Sequence, residues 1–178
     1  MSDPQRDTFV QLSALLTGFA ADKLAPQLDT TDLAGTYLPL VAARTGAAFD
    51  SLLAQFSALS AGTPVSQLTA AQKQSIGEAL LGLGGSSQDA AVAATALAIN
   101  KLWYLGSWYQ PFDYAGFTTD VVVGFVVSDQ AYIKGLAWQA MQSHAMGYSP
   151  WTFGYWAASP PPLSAFTGNA SAVPGSPT

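Results

Sequence analysis

Lys101-Leu-Trp-Tyr-Leu-Gly-Ser-Trp-Tyr-Gln110 opens a stretch, Asn100 to Pro162, that holds all five tryptophans, the only histidine and the run Pro160-Pro161-Pro162. The hundred residues before it are dominated by Ala and Leu, so aromatic surface is concentrated in one part of the chain. Several Trp and Tyr in a segment rich in Gly and Pro cannot all be covered by irregular backbone. Their cover must come either from helices of the first half or from another protein.

Working back from that stretch, Lys101 lies in the second half of a helix expected from Asp89 to about Gly106. Its Ala-rich first half allows close approach of another helix, and its second half brings Leu97, Leu102, Trp103 and Leu105, which places it at the centre of a bundle. Four helices are expected before it. The first is capped by Asp3 or Asp7, carries Phe9, Leu12, Leu15, Leu16 and Phe19 on one face, and ends between Gly18 and Lys23. The second starts at Thr30-Thr31-Asp32 and runs through Tyr37 to Val41, with Pro39 as a kink or early break. The third places Phe49, Leu52, Leu53, Phe56 and Leu59 along a stripe between Ala47 and Leu59. The fourth opens with the capping-box spacing Thr69-Ala-Ala-Gln72 and stops at Gly82-Leu-Gly-Gly-Ser86.

Forward of Gly106 the periodicity changes. Val121-Val-Val-Gly-Phe-Val-Val127 is a β-branched run that reads as a short extended pair, or an irregular segment, lying on the helices. The expected organisation is therefore mainly α, a compact bundle of about five helices. Residues 1–146 form the helical domain with a short extended segment near 119–128, residues 147–163 an irregular arm rich in aromatics and proline, and residues 164–178 a disordered tail.

Only 10% of the 178 residues are charged, against about 25% in an average soluble protein. Such a surface suits a permanent partner. A formal net charge of −5 with six Lys and Arg leaves no basic stripe for phosphates or anionic lipid, which argues against nucleic-acid and membrane-surface binding. No run approaches 18 apolar residues, so no direct membrane span is expected. The absence of cysteine removes disulfides, thiolate catalysis, Fe–S clusters and Cys-ligated zinc.

His144 is the one side chain with an intrinsic pKa suited to acid–base work near neutral pH, and a triad with Ser128 or Ser143 and Asp129 can be written down. No Gly-x-Ser-x-Gly elbow supports it, and a structural or interface histidine is the stronger reading. Gly82-Leu-Gly-Gly follows a helix rather than a strand, so it reads as a helix cap, not as a dinucleotide fingerprint. Asp113, Asp120 and Asp129 read as caps, turn residues or partners of Lys101 and Lys134. For the aromatics, a sugar platform, a packed core and a docking surface are all open. Trp103 and Tyr104 fit a core helix, whereas Trp151, Phe153, Tyr155 and Trp156 fit a docking arm, Trp and Tyr being enriched at interface hot spots.

The segments Lys101–Gln110, Phe125-Val-Val-Ser-Asp129 and Gly154-Tyr-Trp-Ala157, followed by Pro160-Pro-Pro162, resemble the small subunit of bacterial membrane-bound FAD-dependent sugar and polyol dehydrogenases. That is the sorbitol dehydrogenase small-subunit family, related to subunit 3 of gluconate 2-dehydrogenase. The likeness is best from about Leu97 to Leu163, with a looser pattern from Phe9 to Gly18. It implies a non-catalytic companion that matures and stabilises a large flavoprotein of the glucose-methanol-choline type, in the periplasm, membrane-associated through a complex that can include a cytochrome subunit. This chain would then bind no cofactor of its own, the FAD being in the partner. The sequence lacks the twin-arginine signal usual in the family, and without cysteine it cannot be disulfide-linked to a large subunit. On this reading the partner contacts are Trp103, Tyr104, Trp108, Trp151, Phe153, Trp156, Pro160, Pro161 and Pro162. The competing reading is a free-standing carbohydrate-binding domain or small enzyme using the Trp cluster and His144.

Overall fold

The computed structural model describes residues 3–28, 30–110 and 124–147, together with Ser164 and Thr167. These residues form a mainly helical, compact structure, as the periodicity requires. In chain order the helices are α1 (Pro4–Thr17), α2 (Ala21–Leu24), α3 (Leu33–Thr45), α4 (Ala47–Ser60), α5 (Ala70–Leu81), α6 (Ala90–Leu105), α7 (Asp129–Ile133) and α8 (Leu136–Ala140). A 3-10 turn, Val65–Gln67, precedes α5, and strands β1 (Ser107–Tyr109) and β2 (Gly124–Val126) separate α6 from α7. The five long helices α1, α3, α4, α5 and α6 match the five expected.

Their boundaries follow local chemistry. Asp3 caps α1 by accepting from the Gln5 amide at 3.0 Å, and Thr69 with Gln72 closes a reciprocal capping box on α5. Gly82 ends α5 in the left-handed conformation, the helix-cap role expected of that glycine run. α1 stops at Thr17, at the early edge of the expected range, because Gly18 takes φ 76° and returns its amide to the Ala14 carbonyl. Pro39 does not break α3, which continues to Thr45. An internal proline costs about 3 kcal/mol. Tyr37 and Val41, on either side of it, are both fully buried, and that packing holds the helix together across the lost hydrogen bond.

α6 is the central strut. Asp89 Oδ1 caps it, accepting from the amides of Ala91 at 2.8 Å and Val92 at 3.2 Å. Val92, Thr95, Ala96, Ile99, Leu102 and Trp103 are buried along it, and it packs against α1, α3, α4, α5, α7, α8 and β1. The small side chains Ala96 and Ala98 are what let neighbouring helices come close on several sides.

Beyond Gly106 the chain reverses into an antiparallel pair in which Ser107 faces Val126, Trp108 faces Phe125 and Tyr109 faces Gly124. The extended reading of the valine run thus holds for 124–126, while 111–123 lie outside the described residues. A two-stranded ribbon is marginal in water and needs anchoring. Here Trp108 is buried, the Arg44 guanidinium lies 5.2 Å from the centre of the Phe125 ring, and Gln110 Nε2 donates to the Arg44 carbonyl at 3.2 Å.

Gly106 is the joint between strut and ribbon. Its φ is +63°, and a Cβ there would sit 2.2 Å from the Ala131 carbonyl oxygen in α7. Gly18 shares the positive φ, 76°, but a Cβ on it would meet nothing within 4 Å. Gly106→Ala is expected to lower unfolding stability by about 3 kcal/mol or more, and Gly18→Ala by only about 1 kcal/mol, the backbone cost alone. Urea unfolding of the two variants checks this.

Candidate functional site

The last turn of an α-helix leaves carbonyls without intrahelical donors. At the end of α1 those carbonyls face α6, whose 3.6-residue period puts Asn100, Trp103 and Tyr104 on one flank. Asn100 Nδ2 donates to the Leu16 carbonyl, and the Tyr104 hydroxyl donates to the Thr17 carbonyl at 2.9 Å. Between them the Trp103 indole N–H donates to Ser13 Oγ at 2.9 Å, a buried bond across 90 residues of sequence. One turn of α6 therefore caps α1 from the side.

The indole is also the centre of an aromatic cluster. Its ring stacks on Phe9 at 6.4 Å and 30°, and meets Tyr37 edge-on at 4.9 Å and 82°. Phe9 in turn meets Phe49 at 5.9 Å, and Tyr104 meets Phe19 at 6.2 Å, both near perpendicular. Four helices, α1, α3, α4 and α6, converge on this group.

Burial decides what these aromatics can do. Trp103 is 2% exposed and Trp108 1% exposed, so neither side chain has a free face for a partner or a sugar ring. Of the two covers open from sequence, the helices of the first half cover these two tryptophans, and their expected role as partner contacts is corrected to core. Trp108 is held by its indole N–H, which donates to Gln110 Oε1 at 3.0 Å. Tyr104 is half-buried and keeps partial access. Trp151, Phe153, Trp156, Pro160, Pro161 and Pro162 lie outside the described residues. Past them, the Thr167 carbonyl accepts the Ala20 amide at 2.7 Å, on the turn between α1 and α2.

The triad residues have other roles. Ser128 Oγ caps α7 by accepting the Ala131 amide at 3.0 Å, and Asp129 sits exposed in the first turn of that helix, as a cap-type reading anticipated. His144 Nδ1 lies 3.1 Å from the adjacent Ala145 carbonyl, and Ser143 Oγ is buried without a hydrogen-bond partner among the described residues. Lys134 Nζ donates to Thr31 Oγ1. Asp113 and Asp120 lie outside the described residues. Among the described residues no group of three or more His, Asp or Glu is gathered for a metal, and no helix is long and apolar enough to cross a membrane.

Ser13, Asn100 and Tyr37 are the partners of the aromatic stretch that sequence reading did not single out. The spacing Asn100-Trp103-Tyr104 (i, i+3, i+4) is the signal that marks a shared face on α6, but it does not identify what the face meets. Comparison of the chain with known protein families, with curated proteins and with solved structures finds no match.

The clasp between α1 and α6 can be tested at its buried bond. Ser13→Ala leaves the indole N–H unpaired in the core and is expected to cost about 1–3 kcal/mol in denaturant unfolding. In a double-mutant cycle with Trp103→Phe the two losses should be non-additive, since the second change removes the orphaned donor.

The same cluster makes stability depend on pH. Burial raises the Tyr104 phenol above its ordinary value of 10.0, and raises Tyr37, fully buried and with its hydroxyl unpartnered among the described residues, further still. Above pH 10 the unfolded chain releases these protons while the fold retains them, so stability is fully present below pH 10 and declines as pH rises toward the folded values. Denaturant unfolding between pH 8 and 11 should show that decline, and Tyr37→Phe should make it shallower.

Proposed function

We propose that this chain is the non-catalytic small subunit of a heteromeric FAD-dependent sugar or polyol dehydrogenase, binding, maturing and stabilising a large flavoprotein subunit of the glucose-methanol-choline type. The observation that carries the reading is where apolar surface remains once the core is built. Six of the nine exposed large hydrophobic side chains among the described residues lie at or beyond Leu97. They are Leu97 and Leu105 on the outer flank of α6, Phe125 and Val126 on the ribbon, and Met141 and Met146 after α8. The same part of the chain carries the likeness to the small-subunit family. Exposed apolar side chains on packed neighbouring elements, in a protein with few charges, are what a lasting interface uses.

On this reading the docking surface shifts. Trp103 and Trp108 shape it from beneath, by fixing α6 and β1, and Tyr104 contributes at its edge. Phe125, Val126, Met141 and Met146 join Trp151, Phe153, Trp156 and Pro160–Pro162 in contacting the large subunit. Catalysis and FAD belong to the partner, electrons leave through a cytochrome subunit or another acceptor, and the complex works at the periplasmic face of the membrane.

Affinity capture of the chain from its native host should bring down a yellow, FAD-containing large subunit in fixed ratio. A chain ending at Met146 should keep the helical far-UV signal and lose that capture. Undiminished pairing by the shortened chain would remove the arm from the interface. Saturable sugar binding by the chain alone, followed by Trp fluorescence, would favour the carbohydrate-binding reading instead.

A further inference from the structure

A cavity of about 280 Å³ lies beside the clasp, between α2, the chain leading into α3, α6 and α8. Leu24, Leu33, Leu136 and an edge of Trp103 make its apolar wall. All four belong to the buried core at 2–6% exposure, so the wall is fixed by the packing of the bundle. Leu28, 95% exposed, stands at the rim.

The polar part is cationic. Lys23 from α2 and Lys134 from the end of α7 both line the cavity, with the Gln139 side chain beside them. No carboxylate lines it among the described residues. The whole chain has six Lys and Arg and a net charge of −5, so two cations brought to one apolar cavity from distant parts of the sequence are a local reversal of the overall field. Lys134 is positioned there by donating from Nζ to Thr31 Oγ1, at the entrance to α3.

We propose that this cavity binds a small organic anion with an apolar tail, of the medium-chain carboxylate class. The tail lies against Leu24, Leu33, Leu136 and Trp103, and the carboxylate faces Lys23 and Lys134 with the Gln139 amide as a further donor. The volume, at the small end of ligand pockets, suits a short chain rather than a nucleotide or a sugar pair. Charge complementarity selects the anion over a neutral molecule of the same length. The inference is independent of the accessory-subunit reading, because the site lies wholly within this chain.

The test is a titration of the full-length chain with sodium octanoate and, separately, with 1-octanol, followed by calorimetry and by intrinsic Trp fluorescence, to which Trp103 contributes directly. The expected result is saturable one-site binding of octanoate, about tenfold tighter than octanol, a ratio typical of one charge-assisted contact at a partly open site. Lys23→Met and Lys134→Met should each weaken octanoate severalfold and leave octanol unchanged. Lys23 is exposed, so its replacement does not threaten the fold and keeps the test decisive if Lys134→Met unfolds. No saturable octanoate binding, equal affinity for the alcohol, or octanoate binding indifferent to Lys23→Met would overturn the proposal.

Discussion

The rest of the structure depends on how the C-terminal end of α1 is closed. A helix end buried against other elements must satisfy its last carbonyls, and α1 has no polar side chain of its own placed to do so beyond Thr17, whose hydroxyl turns back to the Ser13 carbonyl at 2.7 Å. The donors come instead from α6: an amide, an indole and a phenol on adjacent turns, each aimed at a group between Ser13 and Thr17. Because these are side-chain to backbone and side-chain to side-chain bonds across more than 80 residues, they set the register and rotation of the central helix against the first one. Hydrophobic contact alone is non-directional and would leave that rotation loosely specified.

Once α6 is fixed, its far end sets the course of the chain beyond it. Gly106 turns the backbone where Ala131 leaves no room for a side chain, β1 starts at once, and the indole of Trp108 is carried into the core. The ribbon is then fastened to the end of α3 through Arg44, one of the chain's few cations. Other cations have equally specific tasks. Arg6 joins α1 to the start of α3 by donating to Asp32 at 2.6 Å, and Lys134 reaches Thr31. The apolar side chains left outside, Phe125 and Val126 among them, belong to elements whose positions are already determined, so an interface built from them would be preformed rather than assembled on contact.

The five long helices were legible because each carries enough turns for its apolar face to repeat, and because Asp3, Thr69, Asp89 and the terminal glycines bear unambiguous cap chemistry. α2, α7 and α8 were not foreseen: with four or five residues they have no period to detect, and they exist because tertiary neighbours hold them. β1 was hidden for a related reason. Ser107-Trp-Tyr109 has no alternation of its own, and its partner lies beyond residues 111–123. Pro39 misled in the other direction, since a local rule was overridden by the burial of Tyr37 and Val41. For the candidate site the sequence identified the right stretch and left its cover undecided. Nothing in Lys101–Gln110 says that Ser13 and Phe9 lie opposite Trp103, and a tryptophan that holds a core has the same letter as one that binds a partner.

That distinction is the centre of the account, and hydrogen exchange at the Trp103 indole N–H tests it most directly. If the indole is sealed in the clasp, its proton in the isolated chain exchanges only through global unfolding, with an opening free energy equal to that from denaturant and unaltered when a partner binds. Exchange at the rate of an open surface indole, slowed only on binding a partner, would contradict it and return Trp103 to the interface.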